Sequence, residues 1–188
     1  IAFRTLLKNK VYSFINIGGL AVGIAVAMLI GLWIYDELSF DKYHSEHDRI
    51  ALLQKNRSFN GNIITEQSMS LPLAAKLRES YGKYFEEVVA SSYGGEKSLT
   101  VNDKTITKRG LFMETGGEKI LDLQILEGSP RFPLAPFEIL ISDKTKDALF
   151  EKKNVINQTV HLDKNTPFKI VGVFKSLPQN TTYRSTSF

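Results

Sequence analysis

Two histidines lie in a charged stretch near the beginning of the sequence, and their spacing could suit a metal ion. His44 and His47 are three residues apart, so on a helix they would share a face with Asp41 or Asp48. Imidazole and carboxylate groups bind zinc, and carboxylates bind calcium. A pair of histidines in so charged a segment is far more typical of a solvated surface, so we assign no metal ligand to the sequence.

The sequence lacks the residue patterns of the common catalytic sites. It contains no cysteine and no GxxxxGK[ST], GxSxG or HExxH pattern. Glu86 and Glu87 are adjacent, so on a strand they would point to opposite faces and could not work as a general acid and base pair. We therefore predict that the chain is not an enzyme, has no catalytic residue and binds no cofactor of its own.

Charge is distributed unevenly along the 188 residues. There are 24 lysines and arginines against 20 aspartates and glutamates, and three of these bases, Arg4, Lys8 and Lys10, precede the first acidic residue. The rest of the chain therefore carries a net charge of only +1. Its scattered basic pairs lack the interleaved aromatic residues of a nucleic-acid groove, so we expect no nucleic-acid partner. Without cysteine, the fold depends on an ordinary hydrophobic core.

The apolar run at residues 11–35 determines where the rest of the chain lies relative to a membrane. It contains no charged residue between Lys10 and Asp36. About 20 apolar residues in a helix cross the hydrocarbon core of a bilayer, and this run lacks the polar face of a soluble helix. It is also much longer than the apolar region of a signal peptide, and no small-residue cleavage site precedes Asp36. We predict an uncleaved transmembrane helix, in preference to a buried core helix or a signal peptide.

The residues that flank this run indicate its orientation. Bases precede it and acids follow it, which predicts a cytoplasmic N-terminus and a periplasmic location for the residues after about 36. Residues 1–10 combine an apolar and a basic face, as in a short helix on the inner membrane surface. The residues predicted to lie at the membrane interface are Arg4, Lys8, Lys10, Trp33 and Tyr35.

Small residues recur at one spacing inside the apolar run. Gly19 and Gly23 form a GxxxG pair, and Ala27 lies one further step along the same face. Such a seam lets the backbone of another membrane helix approach closely. We predict a helix-packing contact at these three positions.

After the apolar run, residues 36–49 are predicted to form a juxtamembrane connector, and residues 50–188 are predicted to form one domain of strands and helices. Strands and helices alternate there without a regular βαβ rhythm, which predicts an α+β fold. Hairpin turns are predicted at Asn60-Gly61 and Asn102-Asp103, and Ser142 is a predicted helix cap. The predicted strands are 50–59, 63–69, 85–92, 98–101, 104–108, 138–141, 159–162 and 168–174, the predicted helices are 72–81, 118–121 and 143–150, and turns are predicted at 127–130 and 163–167.

Several segments together resemble the ABC transporter permeases of the MacB-like and FtsX-like family, especially the large versions of Bacteroidetes. LLKNKVYSFINIGGLAVGIA is similar to the first membrane helix of that family, and DELSFDKYHSEHDRI is similar to the segment that follows it. QILEGSP, ILISDKTKDALF, NVINQTVHLD and FKIVGVFKSLPQN then occur in the order of the MacB-like periplasmic core domain. Ala51 and residues 181–188 depart from the family's usual pattern.

The resemblance implies a permease subunit of the bacterial inner membrane whose periplasmic domain moves when a separate cytoplasmic ATPase hydrolyses ATP. ATP and magnesium would bind that ATPase, and a second permease copy, membrane lipid and a periplasmic protein are the further partners implied. We expect the sequence to be a fragment that continues into three more membrane helices. The alternative is a membrane-anchored sensor whose outer domain binds a ligand, and a membrane-tethered enzyme is a third reading that lacks a catalytic constellation.

Overall fold

The computed structural model describes residues 10–92, 94–151 and 154–188. The chain divides into two compact units, one ending at Phe40 and the other running from Asp41 to Phe188. The first contains one long helix, and the second combines strands with helices. The predicted fold class, one N-terminal apolar helix followed by an α+β domain, is therefore confirmed.

Helix α1 spans Lys10–Leu38 and buries none of its side chains. Its most apolar stretch has a mean hydropathy of 2.4, and within the described ranges it is the one helix long and apolar enough to cross a membrane. The helix continues three residues beyond the predicted span, because hydropathy marks the apolar part of a helix and not its polar last turn. The last turn is closed by Ser39, whose amide donates to the Tyr35 carbonyl oxygen at 3.0 Å.

The unit from Asp41 onward contains eight strands and three further helices within the described residues. The helices are α2 (Leu73–Tyr81), α3 (Gly117–Ile120) and α4 (Asp143–Phe150), with short 3-10 turns at His47–Arg49 and Gly82–Tyr84. The strands are β1 (Lys55–Phe59), β2 (Asn62–Glu66), β3 (Gly95–Val101), β4 (Lys104–Gly110), β5 (Ile125–Gly128), β6 (Glu138–Ser142), β7 (Thr159–Leu162) and β8 (Thr166–Phe174).

Strand β8 lies at the centre of a six-stranded sheet. On one side it pairs in parallel with β6. On the other side its first residues pair with β7 and its last residues pair with β5, both antiparallel. Strand β3 joins β7 through Leu99 and Thr100, and β4 lies beyond β3. The sheet therefore depends on one nine-residue strand that holds three neighbours.

Strands β1 and β2 form a separate two-stranded sheet. Asn60 and Gly61 have φ values of 49° and 77°, which is the left-handed backbone that a tight two-residue hairpin turn requires. The predicted hairpin is confirmed, with strands shorter than predicted. All five residues of β1 are exposed, and β2 is exposed apart from the half-buried Glu66.

The hydrophobic core lies between the six-stranded sheet and α4. Leu99, Ile141, Val160 and Ile170 are completely buried, and Leu149 on α4 packs into the same cluster. The hydroxyl oxygen of Ser142 accepts a hydrogen bond from the Thr145 amide at 3.2 Å, so the predicted cap of α4 is confirmed.

Residues 177–188, which we call the strap, join the outer strand β4 to the end of β6. The Ser187 amide donates to the Arg109 carbonyl oxygen at 2.9 Å, and the Leu111 amide donates to the Phe188 carbonyl oxygen at 3.0 Å. The Ser142 amide donates to the Ser187 carbonyl oxygen at 2.9 Å. Phe188 is itself part of the hydrophobic core cluster, so the strap is packed as well as hydrogen-bonded.

Three sequence predictions in this domain were wrong. Residues 85–92 form no strand beyond a single bridge between Ser91 and Met113. The Ala90 amide donates its hydrogen bond to the Glu114 carboxylate, at 3.0 Å, and not to the backbone of a neighbouring strand. Residues 127 and 128, predicted as part of a turn, end strand β5. Residues 166 and 167, predicted as loop, already belong to β8.

Candidate functional site

The interface and packing residues predicted from the sequence lie on α1 where the structure describes them. Trp33 and Tyr35 are exposed on the helix, and Lys10 is its first residue. A Cβ atom added to Gly19 or Gly23 would meet nothing within 4 Å, and Ala27 is exposed as well. The helix-packing contact and the membrane interface remain predictions. Arg4 and Lys8 lie outside the described residues.

A dense polar arrangement forms around Asp41, the first residue of the second unit. Its Oδ1 atom accepts hydrogen bonds from the Thr181 hydroxyl and from the Thr182 amide, each at 2.7 Å. Its Oδ2 atom accepts from the Thr182 hydroxyl at 2.6 Å. The Asp41 amide also donates to the Asn180 carbonyl oxygen at 2.8 Å. One residue at the start of the domain thus binds the strap through four hydrogen bonds.

The carboxylate of Asp41 is held in its ionised form. Burial raises the pKa of Asp41, but the hydrogen bonds from Thr182 and Thr181 outweigh this effect and hold the pKa below its ordinary value. Burial raises the pKa of Tyr183, and the charge of Asp41 raises it further. The backbone of Asp41 has a φ of 59°, a left-handed conformation that aspartate and asparagine tolerate better than most residues.

His44 extends the same arrangement into the interior. It is 5% exposed, and its Nε2 atom lies 3.2 Å from the Thr181 hydroxyl oxygen. Since that hydroxyl gives its only proton to Asp41, we assign the donating proton to His44 Nε2. Nδ1 is then a buried acceptor, and it has no hydrogen-bond partner in the described part of the chain.

The pair of histidines that could suit a metal ion does not converge on one point. His44 directs Nε2 to Thr181, whereas His47 donates from Nδ1 to the His44 carbonyl oxygen at 3.1 Å. The Nε2 atom of His47 lies 3.2 Å from Asp48. Across residues 10–92, 94–151 and 154–188, no group of three or more histidine, aspartate or glutamate side chains could hold a metal ion.

A second carboxylate, Asp122, also binds the beginning of the domain. Asp122, which follows α3, accepts hydrogen bonds from the amide and the hydroxyl of Ser45, the latter at 3.1 Å. Asp122 also has a left-handed backbone, with a φ of 47°. We call residues 41–49 the junction segment, because they connect α1 in sequence to the domain and two carboxylates tie them to it.

The adjacent glutamates have structural contacts. Glu87 lies against the Lys119 ammonium, and Glu86 lies 3.6 Å from the Arg49 guanidinium. The hydrogen bond with Glu87 raises the pKa of Lys119. Glu86 and Glu87 do not lie on a strand, so the prediction that they point to opposite faces of a strand is not met. Each carboxylate forms an ion pair with a different base.

A family model of the MacB-like periplasmic core domain matches residues 13–187. The chain belongs to this family. The match begins inside α1 and ends inside the strap, so it includes the junction segment and the three residues that bind Asp41. Membership confirms the resemblance found in the sequence.

Two of three similar solved structures align with TM-scores of 0.50 or more and share the fold of this MacB-like domain. The extracellular domain of the ABC-type transporter YknZ from Gram-positive bacteria aligns with a TM-score of 0.50 and 20% identity, over 57% of each chain. A domain of a protein from Porphyromonas gingivalis, assigned as a permease, aligns with a TM-score of 0.53 and 17% identity, over 64% of this chain and 52% of that one. The periplasmic region of MacB from Actinobacillus actinomycetemcomitans aligns with a TM-score of 0.49 and 18% identity, over 63% and 56%.

The chain therefore spans little more than half the length of these structures. Comparison with curated proteins found no match.

The residues that bind Asp41 in this MacB-like domain were not identified from the sequence. Thr181 and Thr182 lie 140 and 141 residues from Asp41, in the stretch that departs from the family's usual pattern. Asp122 lies 77 residues from Ser45. The one local feature that could have pointed to Asp122 is its position as a short polar residue directly after a predicted helix. Nothing in the sequence around Thr181 and Thr182 distinguishes them from threonines in an ordinary loop.

Proposed function

We propose that the chain is part of a permease subunit of an ABC-type transporter, with α1 crossing the inner membrane. The observation that carries this proposal is the family match, which covers the apolar helix and the folded domain as one stretch, residues 13–187. A partner ATPase would supply the energy, because the sequence contains no phosphate-binding loop of its own. Residues after the helix would then lie on the periplasmic side.

The mechanism that fits these parts is mechanical. ATP binding by two cytoplasmic ATPases would move the membrane helices of two permease copies, and α1 would carry this movement to the domain. Packed cores shift as units because their interiors are as dense as crystals, so the domain would move without unfolding. Such movement can drive export, extraction of a substrate from outside the membrane, or a signal to a periplasmic partner.

The orientation can be tested directly because the chain contains no cysteine. Asn165→Cys lies in the exposed turn between β7 and β8, and Asn9→Cys precedes α1 in sequence. In spheroplasts, a membrane-impermeant maleimide is expected to label Asn165→Cys at once and Asn9→Cys only after permeabilisation. Labelling in the opposite order would contradict a cytoplasmic N-terminus.

Coupling to ATP requires the complete permease subunit together with its ATPase. A spin label at Asn165→Cys should report the distance between the two copies in nanodiscs, with and without ATP and vanadate. A shift of the distance distribution on trapping is expected. An unchanged distribution in a preparation that hydrolyses ATP would contradict the proposal and favour a membrane-anchored sensor.

A further inference from the structure

The covalent path from the junction segment into the domain does not lead to the core. Every residue from Asp48 to Thr65 is exposed, and this stretch includes the β1–β2 hairpin, which pairs with no strand of the larger sheet. The first strand of the six-stranded sheet begins only at Gly95. A displacement of Asp41 along this path would therefore bend exposed chain before it reached the sheet.

The path through hydrogen bonds is much shorter. Asp41 holds Thr181 and Thr182, and five residues further along the strap Ser187 bonds to both Arg109 on β4 and Ser142 on β6. The strap is buried at Leu177, Thr181 and Phe188, and between Thr182 and Ser187 it is held by backbone hydrogen bonds from Arg184 to Thr181 and from Thr186 to Tyr183. Hydrogen bonds to an ionised carboxylate are about twice as strong as neutral ones. The strap thus connects Asp41 directly to both outer parts of the sheet.

We infer that the strap is a coupling element, in which Asp41 is the positioning residue that transmits displacement of the membrane helix to β4 and β6. This inference rests on the proposed function for its biological purpose, but the mechanical connection is a property of the chain alone. It predicts that loosening Asp41 loosens the strap as far as its contacts with the sheet. A carboxylate with only a local role would affect Thr182 and nothing beyond it.

The exchange of single backbone amides tests this connection in the complete chain in lipid nanodiscs. The reporters are the amides of Thr182, Ser187, Leu111 and Ser142, because each donates a hydrogen bond in the path. Asp41→Asn retains a side chain that tolerates a positive φ, so it isolates the loss of the charged acceptor. We expect hydrogen–deuterium exchange at all four amides to accelerate about tenfold.

Asp122→Asn is the matched control. It removes the carboxylate that binds Ser45 of the junction segment, also from a left-handed backbone, and within the described part of the chain the hydrogen bonds of that carboxylate go to Ser45 and not to the strap. Exchange at Ser187, Leu111 and Ser142 should remain at the wild-type rate in this variant. Acceleration confined to Thr182 in Asp41→Asn, or equal acceleration in both variants, would overturn the inference.

A second pair of variants tests the inference even if Asp41→Asn fails to fold. Thr182→Val removes the hydroxyl that donates to Asp41 Oδ2, whereas Thr182→Ser keeps it. We expect Thr182→Val to accelerate exchange at the sheet contacts several-fold and Thr182→Ser to restore the wild-type rate. Identical rates in the two variants would overturn the inference by a route that leaves Asp41 intact.

The functional consequence is measured in the permease assembled with its ATPase. With the spin label at Asn165→Cys, Asp41→Asn should reduce the ATP-dependent distance change while ATP hydrolysis continues. An undiminished change would overturn the inference. If the wild-type protein itself shows no change, the proposed function fails, and the exchange rates of the isolated chain still decide whether the strap couples Asp41 to the sheet.

Discussion

Two hairpins of this chain have two-residue turns that begin with an asparagine, and they differ in what they pack against. The β1–β2 turn begins at Asn60 and the β3–β4 turn at Asn102, and both asparagines have a left-handed backbone. Strand β3 pairs with β7 and carries the fully buried Leu99, whereas among the residues that the structure describes β1 and β2 pair with each other alone. An asparagine turn therefore accompanies both hairpins, but only neighbouring strands and buried side chains make a hairpin part of the core.

The comparison is tested most strongly by removing the same side chain from each region. Ile170→Ala on β8 empties a completely buried position, so it should lower the free energy of unfolding by about 2 to 5 kcal/mol. Ile63→Ala on β2 alters a side chain that is 76% exposed, and a change within about 0.5 kcal/mol is expected. Similar losses in both variants would show that the hairpin is packed.

Hydrogen exchange of the slowest domain amides suits these measurements. The single tryptophan, Trp33, lies on α1, so tryptophan fluorescence would not report unfolding of the domain.

A pair of glycines on β3 and β4 separates the strap from the rest of the sheet. Gly95 and Gly110 face each other in the register, yet a Cβ atom at Gly110 would overlap the Phe188 ring, whereas one at Gly95 would meet nothing within 4 Å. Gly110→Ala should destabilise the domain by about 1 to 3 kcal/mol through displacement of Phe188. Gly95→Ala should be neutral in the same unfolding measurement, and an equal loss would exclude the strap as the cause.

Acid should affect the two regions differently. Burial raises the pKa of Asp143 at the start of α4, but hydrogen bonds from Ser176 and Lys144 outweigh it, so the net pKa is lowered. A hydrogen bond from Lys55 likewise lowers the pKa of Glu66 on the hairpin. A lowered folded-state pKa stabilises the protein above the unfolded value, about 3.9 for aspartate, and this stability is lost as pH falls through the folded value.

We therefore expect Asp143→Asn to be less stable than wild type at pH 7 and to lose less stability between about pH 5 and pH 3. Glu66→Gln should leave the curve of domain stability against pH unchanged, because the hairpin is not joined to the sheet. If the stability of Asp143→Asn falls with pH as that of the wild type does, other carboxylates cause the loss of stability in acid.

The smallest expected effect concerns the hairpin turn itself. Gly61 has a φ of 77°, and a left-handed backbone costs an alanine about 1 to 2 kcal/mol relative to glycine. Gly61→Ala should accelerate exchange of the β1 and β2 amides about fivefold or more. The amides of β8 should keep their rates, and acceleration there would mean that the hairpin and the core unfold together.

What the sequence predicted correctly depends on signals a few residues long. The asparagine turns and the Ser142 cap were correct because each depends on the backbone preference or the hydrogen bond of one residue. The long apolar helix was correctly predicted because its signal is an uninterrupted run of apolar residues, and its crossing of a membrane stays a prediction. The family resemblance was correct because it combined several such segments in order.

What the sequence did not predict depends on distant partners. Residues 85–92 have the composition of a strand, yet Arg78 and Glu114 bind their backbone, and neither residue belongs to the segment. Strand β5 was not predicted because β8, some 50 residues later, supplies its pairing. Asp41 belongs to the same class, since nothing near it indicates that its partners lie 140 residues away.

The central position of β8 has a consequence for how the domain acquires its structure during synthesis. Strands β5, β6 and β7 all precede β8 and all pair with it, so each emerges from the ribosome before its partner exists. Pairings between distant residues form slowly, and unpaired strand edges are prone to aggregation. The pairings around β8 should therefore be unable to form until residue 174 has emerged, and the core should be complete only once Phe188 follows.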